Sequence, residues 1–306
     1  SRKACRTSQR YWAWSVMHQK EQNTDMIGVF DSGYGGLTIL KQLRETLPEY
    51  DFIYLGDNAR APYGSRSFDV VYEFTRQSVM KLFSMGCHLV ILACNTASAK
   101  ALRSIQQHDQ NHKSPFSDSG MTLEEEGYRV LGVIRPTTEI IGNLTHTRHV
   151  GIVATEGTIR SESYNMEITK FCPDIKVSGQ ACPLWAAIVE AEDADSEGAE
   201  FFVRKRIGQL LAKDADIDAI ILGCTHYPLL MNALKKAVPA GITLVSQGDW
   251  VAASLKNYLQ RHPEMDARCS KGGIIRYYTT ESEERFKEIA TKFLNEDLDV
   301  QRININ

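Results

Sequence analysis

Two cysteines in this 306-residue chain stand at the ends of short apolar runs. Leu89-Val90-Ile91-Leu92-Ala93 leads into Cys94-Asn95-Thr96, and Ala219-Ile220-Ile221-Leu222-Gly223 leads into Cys224-Thr225-His226. Each run reads as a buried parallel strand that delivers one thiol to its C-terminal end. A thiol has a proton to give, and a thiolate can take one. Removing the proton from a carbon next to a carboxylate, then restoring one on the opposite face, needs such a group on each side. Two matched thiols meet that need. A helix start just after each cysteine is expected to favour the thiolate. The same helix starts offer free N–H groups to a carboxylate, with Asn95, Thr96 and Thr225 as further donors. Asp31 and His226 are placed to assist proton transfer, one near each thiol.

Other chemistries fit less well. Cys94, Cys224 and His226 lack the close CxxC or HxxxH pairing of a zinc site, so no metal is expected. Asp31-Ser32-Gly33-Tyr34-Gly35-Gly36 is glycine-rich but lacks the Gly-Lys-Ser/Thr ending of a phosphate loop. No feature marks a pyridoxal phosphate lysine, and no cofactor is expected. A net charge of −3 gives no basic excess to draw the chain onto nucleic acid or an anionic membrane. No apolar run approaches the ~20 residues of a membrane span. Seven scattered cysteines, an odd number, fit reduced thiols in the cytoplasm better than a disulfide framework.

The elements that must hold these residues follow from the chain in order. Residues 1–25 are basic and acid-poor and read as an extension without chemistry, which is expected to be poorly ordered. Met26-Ile27-Gly28-Val29-Phe30 is a strand that runs into the glycine-rich turn, and a helical pattern follows (Leu37, Leu40, Leu43, Leu47). A second strand reaches Gly56-Asp57, then come Pro62-Tyr63-Gly64 and a helix over 68–85 before the first thiol strand. Residues 108–128 are polar and read as an exposed, mobile insertion. The strand 130–134 stops at Arg135-Pro136. The pattern then restarts at 149–155, with helix 197–212 before the second thiol strand. The chain thus contains a domain-scale repeat. The expected fold is α/β, with two pseudo-symmetric, doubly wound, mostly parallel-sheet domains and the site in the cleft between them. The first is assigned to 26–128 with 245–306, the second to 129–244.

The set Asp31-Ser32-Gly33, Gly56-Asp57, Pro62-Tyr63-Gly64, Ala93-Cys94-Asn95-Thr96-Ala97, Ala181-Cys182-Pro183-Leu184 and Leu222-Gly223-Cys224-Thr225-His226-Tyr227-Pro228 closely resembles bacterial glutamate racemase over about 26–255. The resemblance implies a cofactor-independent enzyme that interconverts L- and D-glutamate and supplies D-glutamate for peptidoglycan. It implies that Cys94 and Cys224 carry the protons, the first working on the D-enantiomer and the second on the L-enantiomer. It assigns substrate contacts to Asp31, Ser32, Tyr63, Gly64, Asn95, Thr96, Thr225 and His226, and extends them to Thr155 and Thr158. Glu190 matches an acidic residue near the second thiol. A homodimer and a peptidoglycan-precursor activator are the partners it suggests. The chain departs from the pattern in its basic extension, in the length of 108–128 and at Arg135-Pro136-Thr137-Thr138, none of which touches the thiol motifs. An aspartate racemase, or a non-catalytic dicarboxylate-binding module, is the competing expectation.

Overall fold

The computed structural model describes residues 25–305, so the extension expected at 1–25 lies outside the described residues except for Asp25. The described strands are β1 Ile27–Asp31, β2 Phe52–Gly56, β3 Leu89–Leu92, β4 Arg129–Gly132, β5 His149–Ala154, β6 Lys176–Ala181, β7 Ala219–Gly223, β8 Thr243–Val245, β9 Ile275–Thr279 and β10 Val300–Arg302. They form two sheets, ordered β10-β9-β2-β1-β3-β4 and β6-β5-β7-β8. Every pairing between them is parallel. The order β2-β1-β3-β4 recurs as β6-β5-β7-β8, so the repeat seen in the sequence is a repeat of topology.

Helices cover both faces of each sheet, which is why the strands read as continuous apolar runs. Side chains sort by parity. Ile27, Val29, Leu89 and Ile91 enter one core cluster, while Phe30, Val90 and Leu92 enter the cluster on the other face. Ile220 and Leu222 are separated from Ala219 and Ile221 in the same way. Each fully buried side chain of this size contributes roughly 1.5–3 kcal/mol, and the two frames are rigid as a result. Register then sets the strand ends. Asp31 pairs with Gly56 and Phe30 with Leu92, so Asp31 and Cys94 emerge side by side. Ala154 pairs with Gly223, which brings out Thr155 beside Cys224.

Three expectations are corrected. The strand at 129–132 lies on the edge of the first sheet against β3, so the second half begins after it and not at 129. Placed there, β4 becomes the counterpart of β8 and completes the repeat. Ile134 and Arg135 belong to the helix Ile134–Leu144, and Pro136 sits in its first turn, where no intrahelical N–H is needed. The insertion at 108–128 is anchored. Asp109 accepts from Tyr72 Oη at 2.8 Å and Arg76 Nε at 2.7 Å. Gln110 donates to the Tyr128 carbonyl at 2.7 Å, and Leu123 and Tyr128 are buried in the first half's core.

The chain passes between the halves twice. It leaves the first sheet after β4 through the helix Ile134–Leu144 and returns after β8 through the helix Gly248–Arg261.

Candidate active site

Cys94 ends the first thiol strand and caps the short helix Asn95–Lys100, accepting from the Ala97 N–H at 3.4 Å. Ser32 Oγ lies 3.4 Å from its sulfur. Burial pushes the Cys94 thiol up to about 12, and the Asp31 carboxylate adds to that; the Ser32 hydroxyl and Ala97 N–H pull the other way. The expected preference for thiolate is therefore reversed at this position. One long N–H···S contact from a six-residue helix does not offset near-complete removal from water.

Asp31 is itself buried. Its Oδ2 accepts from the Gly33 N–H at 2.9 Å, while Oδ1 has no partner. Burial pushes this carboxyl above its ordinary range, partly opposed by the His226 charge. An unpartnered acceptor in such a place is costly unless a cation or donor arrives to meet it.

The second thiol has a different companion. Cys224 Sγ lies 3.7 Å from His226 Nδ1, and His226 Nε2 is 2.9 Å from Glu190 Oε1. Glu190 closes the helix Trp185–Glu190, so sulfur, imidazole and carboxylate form one line. Burial works against a charge on His226, yet the sulfur on one nitrogen and the carboxylate on the other hold its pKa well above the ordinary histidine value. The line can pass a proton toward or away from the Cys224 sulfur.

Loops from the two halves also touch directly. Thr38 Oγ1 donates to the Thr225 carbonyl at 3.0 Å. A Cβ added at Gly35 would lie 2.2 Å from Thr225 Oγ1 and 2.5 Å from His226 Nδ1, so only glycine admits this approach. Across the mouth, Gly157 N–H donates to the Gly64 carbonyl at 2.8 Å. Thr96 Oγ1 is 2.9 Å from Thr155 Oγ1 and 3.4 Å from Thr158 Oγ1. Tyr63 is buried, with its hydroxyl donated to Asp57, so it positions the 61–64 loop and presents main chain to the cleft.

Hydrogen bonds and close approaches thus join many of the residues picked from the sequence at the strand ends of the two halves. Reading the sequence missed Gly35, although the doubled glycine at 35–36 was a signal for close approach. It also missed Tyr164 and Gln247, which grip the Asn95 side chain and carry no motif. Among the described residues, His149, Asp214 and Asp216 bring ligand atoms within 4.8 Å of one another. His149 starts β5, at the end opposite the thiols, and Lys176 Nζ is already 3.2 Å from Asp214.

Two parallel α/β halves, each ending a strand in a thiol beside ionisable side chains, suit an isomerase of carbon acids. Comparison with known proteins gives the family. The model for "Asp/Glu/Hydantoin racemase" matches residues 36–255, and the chain belongs to that family. It is 40% identical over 283 residues to a glutamate racemase of Ruegeria sp. (strain TM1040), covering 89% of this chain and 97% of that one. A glutamate racemase of Latilactobacillus sakei is 34% identical over 280 residues, covering 91% and 94%. Among solved structures, the Francisella tularensis glutamate racemase in complex with D-glutamate superposes with a TM-score of 0.77 at 29% identity, covering 93% of this chain and 99% of that one. The chain is an amino-acid racemase with the two-domain α/β fold of these relatives.

Proposed function

We propose that this racemase interconverts L- and D-glutamate with Cys94 and Cys224 as the two proton carriers. The observation that carries the reading is the pair of thiols on equivalent strand ends, one beside Asp31 and Ser32, the other on the His226–Glu190 line. In one direction the Cys224 thiolate takes the Cα proton, breaking C–H and forming S–H. Cys94 then gives its own proton to the opposite face of the carbanion and is left as thiolate. The reverse direction exchanges the roles. Cys94 is suited to start as the donor, because burial keeps its sulfur protonated. The substrate ammonium meets Asp31 Oδ1, the acceptor that lacks a partner. The α-carboxylate takes the N–H groups and side chains of Asn95 and Thr225. The distal carboxylate takes the hydroxyl cluster of Thr96, Thr155 and Thr158 with the main chain of Gly64. That cluster favours a dicarboxylic amino acid, and glutamate over aspartate follows from the names of the similar proteins.

Cys94→Ser and Cys224→Ser should each reduce racemisation at least about 100-fold, since a hydroxyl is a far weaker acid than a thiol. Solvent deuterium should enter Cα with the wild-type enzyme and no added cofactor. Full activity in either variant sinks the assignment of that thiol. Equal rates on glutamate and aspartate, measured side by side, would remove the substrate preference; saturable binding without Cα exchange would leave a binding module. The product is proposed to feed peptidoglycan synthesis. Six described cysteines, all unpaired, support a reducing compartment such as the cytoplasm. A homodimer rests on the family resemblance, and light scattering on the purified chain tests it. A groove of about 600 Å³ has Arg103 and Arg261 on its walls beside the ion pairs Arg135–Glu139 and Lys170–Glu167, and is the place where an anionic activator is sought. Titration with a peptidoglycan precursor, read as a change in kcat/KM, tests that part.

A further inference from the structure

Gln247 precedes the helix Gly248–Arg261, at the second of the two passages between the halves, and is 2% exposed. Its Nε2 donates to the Val133 carbonyl at 3.1 Å and lies 3.4 Å from Thr137 Oγ1, both at the first passage. The same nitrogen donates to Tyr164 Oη at 2.8 Å. Tyr164 in turn donates to Asn95 Oδ1 at 2.7 Å, and Asn95 Nδ2 donates to Gln247 Oε1 at 2.7 Å. The three side chains close a ring in which each both donates and accepts, leaving one Asn95 N–H for substrate, and all three are buried. Such a ring fixes the Asn95 amide in one orientation. Asn95 is the residue after Cys94; toward the second thiol strand the ring offers only the Tyr164 carbon edge, 3.3 Å from where a Cβ on Gly223 would stand, and among the described residues no hydrogen bond joins the ring to the Cys224 loop.

We infer that Gln247, acting with Tyr164, is a positioning residue for the Cys94 half of the reaction. It ties both passages between the halves to Asn95 and so fixes where the Cys94 sulfur stands relative to substrate carbon. The inference rests on the reading of Cys94 as one of the two proton carriers. A network that only stabilised the fold would lower the amount of active enzyme without choosing between the two thiols. A positioning role chooses, because it raises the barrier of the Cys94 step alone.

Full-length Gln247→Met and Tyr164→Phe are compared with wild type using D-[2-²H]glutamate and L-[2-²H]glutamate. Tyr164→Phe keeps the ring packing, so it reports even where Gln247→Met folds poorly. Expected is a fall in kcat/KM of about 10- to 100-fold, the scale set by sub-ångström to 1 Å misplacement of a reacting group. The primary isotope effect should rise for the D-enantiomer, whose proton Cys94 takes, and fall for the L-enantiomer. The double variant should lose much less than the product of the single losses, because both changes break one ring. Isotope effects that stay at wild-type values, or move together for both enantiomers, overturn the inference. An opposite movement overturns it too, since it would place the ring on the Cys224 step. Cys94→Ser, assayed alongside, separates the two failures: full activity there removes the premise, whereas an inactive Cys94→Ser with symmetric isotope effects removes only the role of Gln247.

Discussion

Gly35→Ala is the smallest change that should disable the site from outside it. Gly35 belongs to the first half, yet its α-carbon faces the second thiol loop. A methyl there would stand 2.2 Å from Thr225 Oγ1, 2.5 Å from His226 Nδ1 and 2.7 Å from His226 Cε1, where 3.4 Å is the start of ordinary contact. Neither neighbour is a flexible chain end. Thr225 is buried with its carbonyl held by Thr38 Oγ1, and His226 is buried with both ring nitrogens engaged. Relief therefore requires the Cys224 loop to retreat by about 1 Å, a displacement that can cost about 100-fold in rate when reacting atoms must align. The overpacking itself should cost roughly 1–3 kcal/mol of stability. The assay is racemisation of L-glutamate followed by circular dichroism, with thermal unfolding on the same sample. The expected result is folded protein with kcat/KM down about 100-fold. Folded Gly35→Ala protein with kcat/KM within about threefold of wild type would refute the argument that this approach sets the second thiol.

Two further outcomes can be checked. In Glu190→Gln the carboxylate that helps to hold His226 protonated is gone, so the His226 pKa should fall toward its ordinary value. The alkaline limb of the kcat/KM profile should move to lower pH, and a limb that stays put would show that His226 does not titrate in the rate. Asp218 reports on stability away from the site. Burial would raise its pKa, but the Thr145 hydroxyl and the Thr147 and His146 N–H groups more than offset this and hold it at about 2. Its folded value lies below the unfolded one, so its contribution is present above about pH 4 and is lost as pH falls toward 2. Asp218→Asn should lower urea stability by about 1 kcal/mol at pH 7, allowing for solvent screening. The gap to wild type should close near pH 2, and a gap that persists there would assign the effect to something other than the charge.

What the sequence made legible was whatever depends on local pattern. The unbroken apolar runs at 89–93 and 219–223 could only be buried strands, and their repetition disclosed the second half. The helix Phe68–Ser84 was equally plain, opened by Ser67, which accepts from the Val70 N–H, and followed by Gly86 at φ 94°. What escaped depends on partners distant in sequence. β4 has the same apolar character wherever it sits, and only its pairing with β3 assigns it to the first sheet. Tyr63 stood out for its motif, but its hydroxyl goes to Asp57, six residues back. The thiolate expectation at Cys94 counted the helix start and could not count burial. Gln247 had no local signal at all, since its meaning lies in Asn95 and Tyr164, 152 and 83 residues away.

The double passage between the sheets makes the second half a guest housed within the first. Both flanks of the described chain belong to the host, which alone is closed by β9 and β10. Host and guest can each accumulate substitutions in their own cores without altering the gap between the sulfurs, because that gap is a property of neither. It is set by the two joints, near 133–137 and 245–248, and by the few loop contacts across the mouth. Sequence drift should therefore be tolerated within the two cores and resisted at the joints, although no joint residue handles a proton.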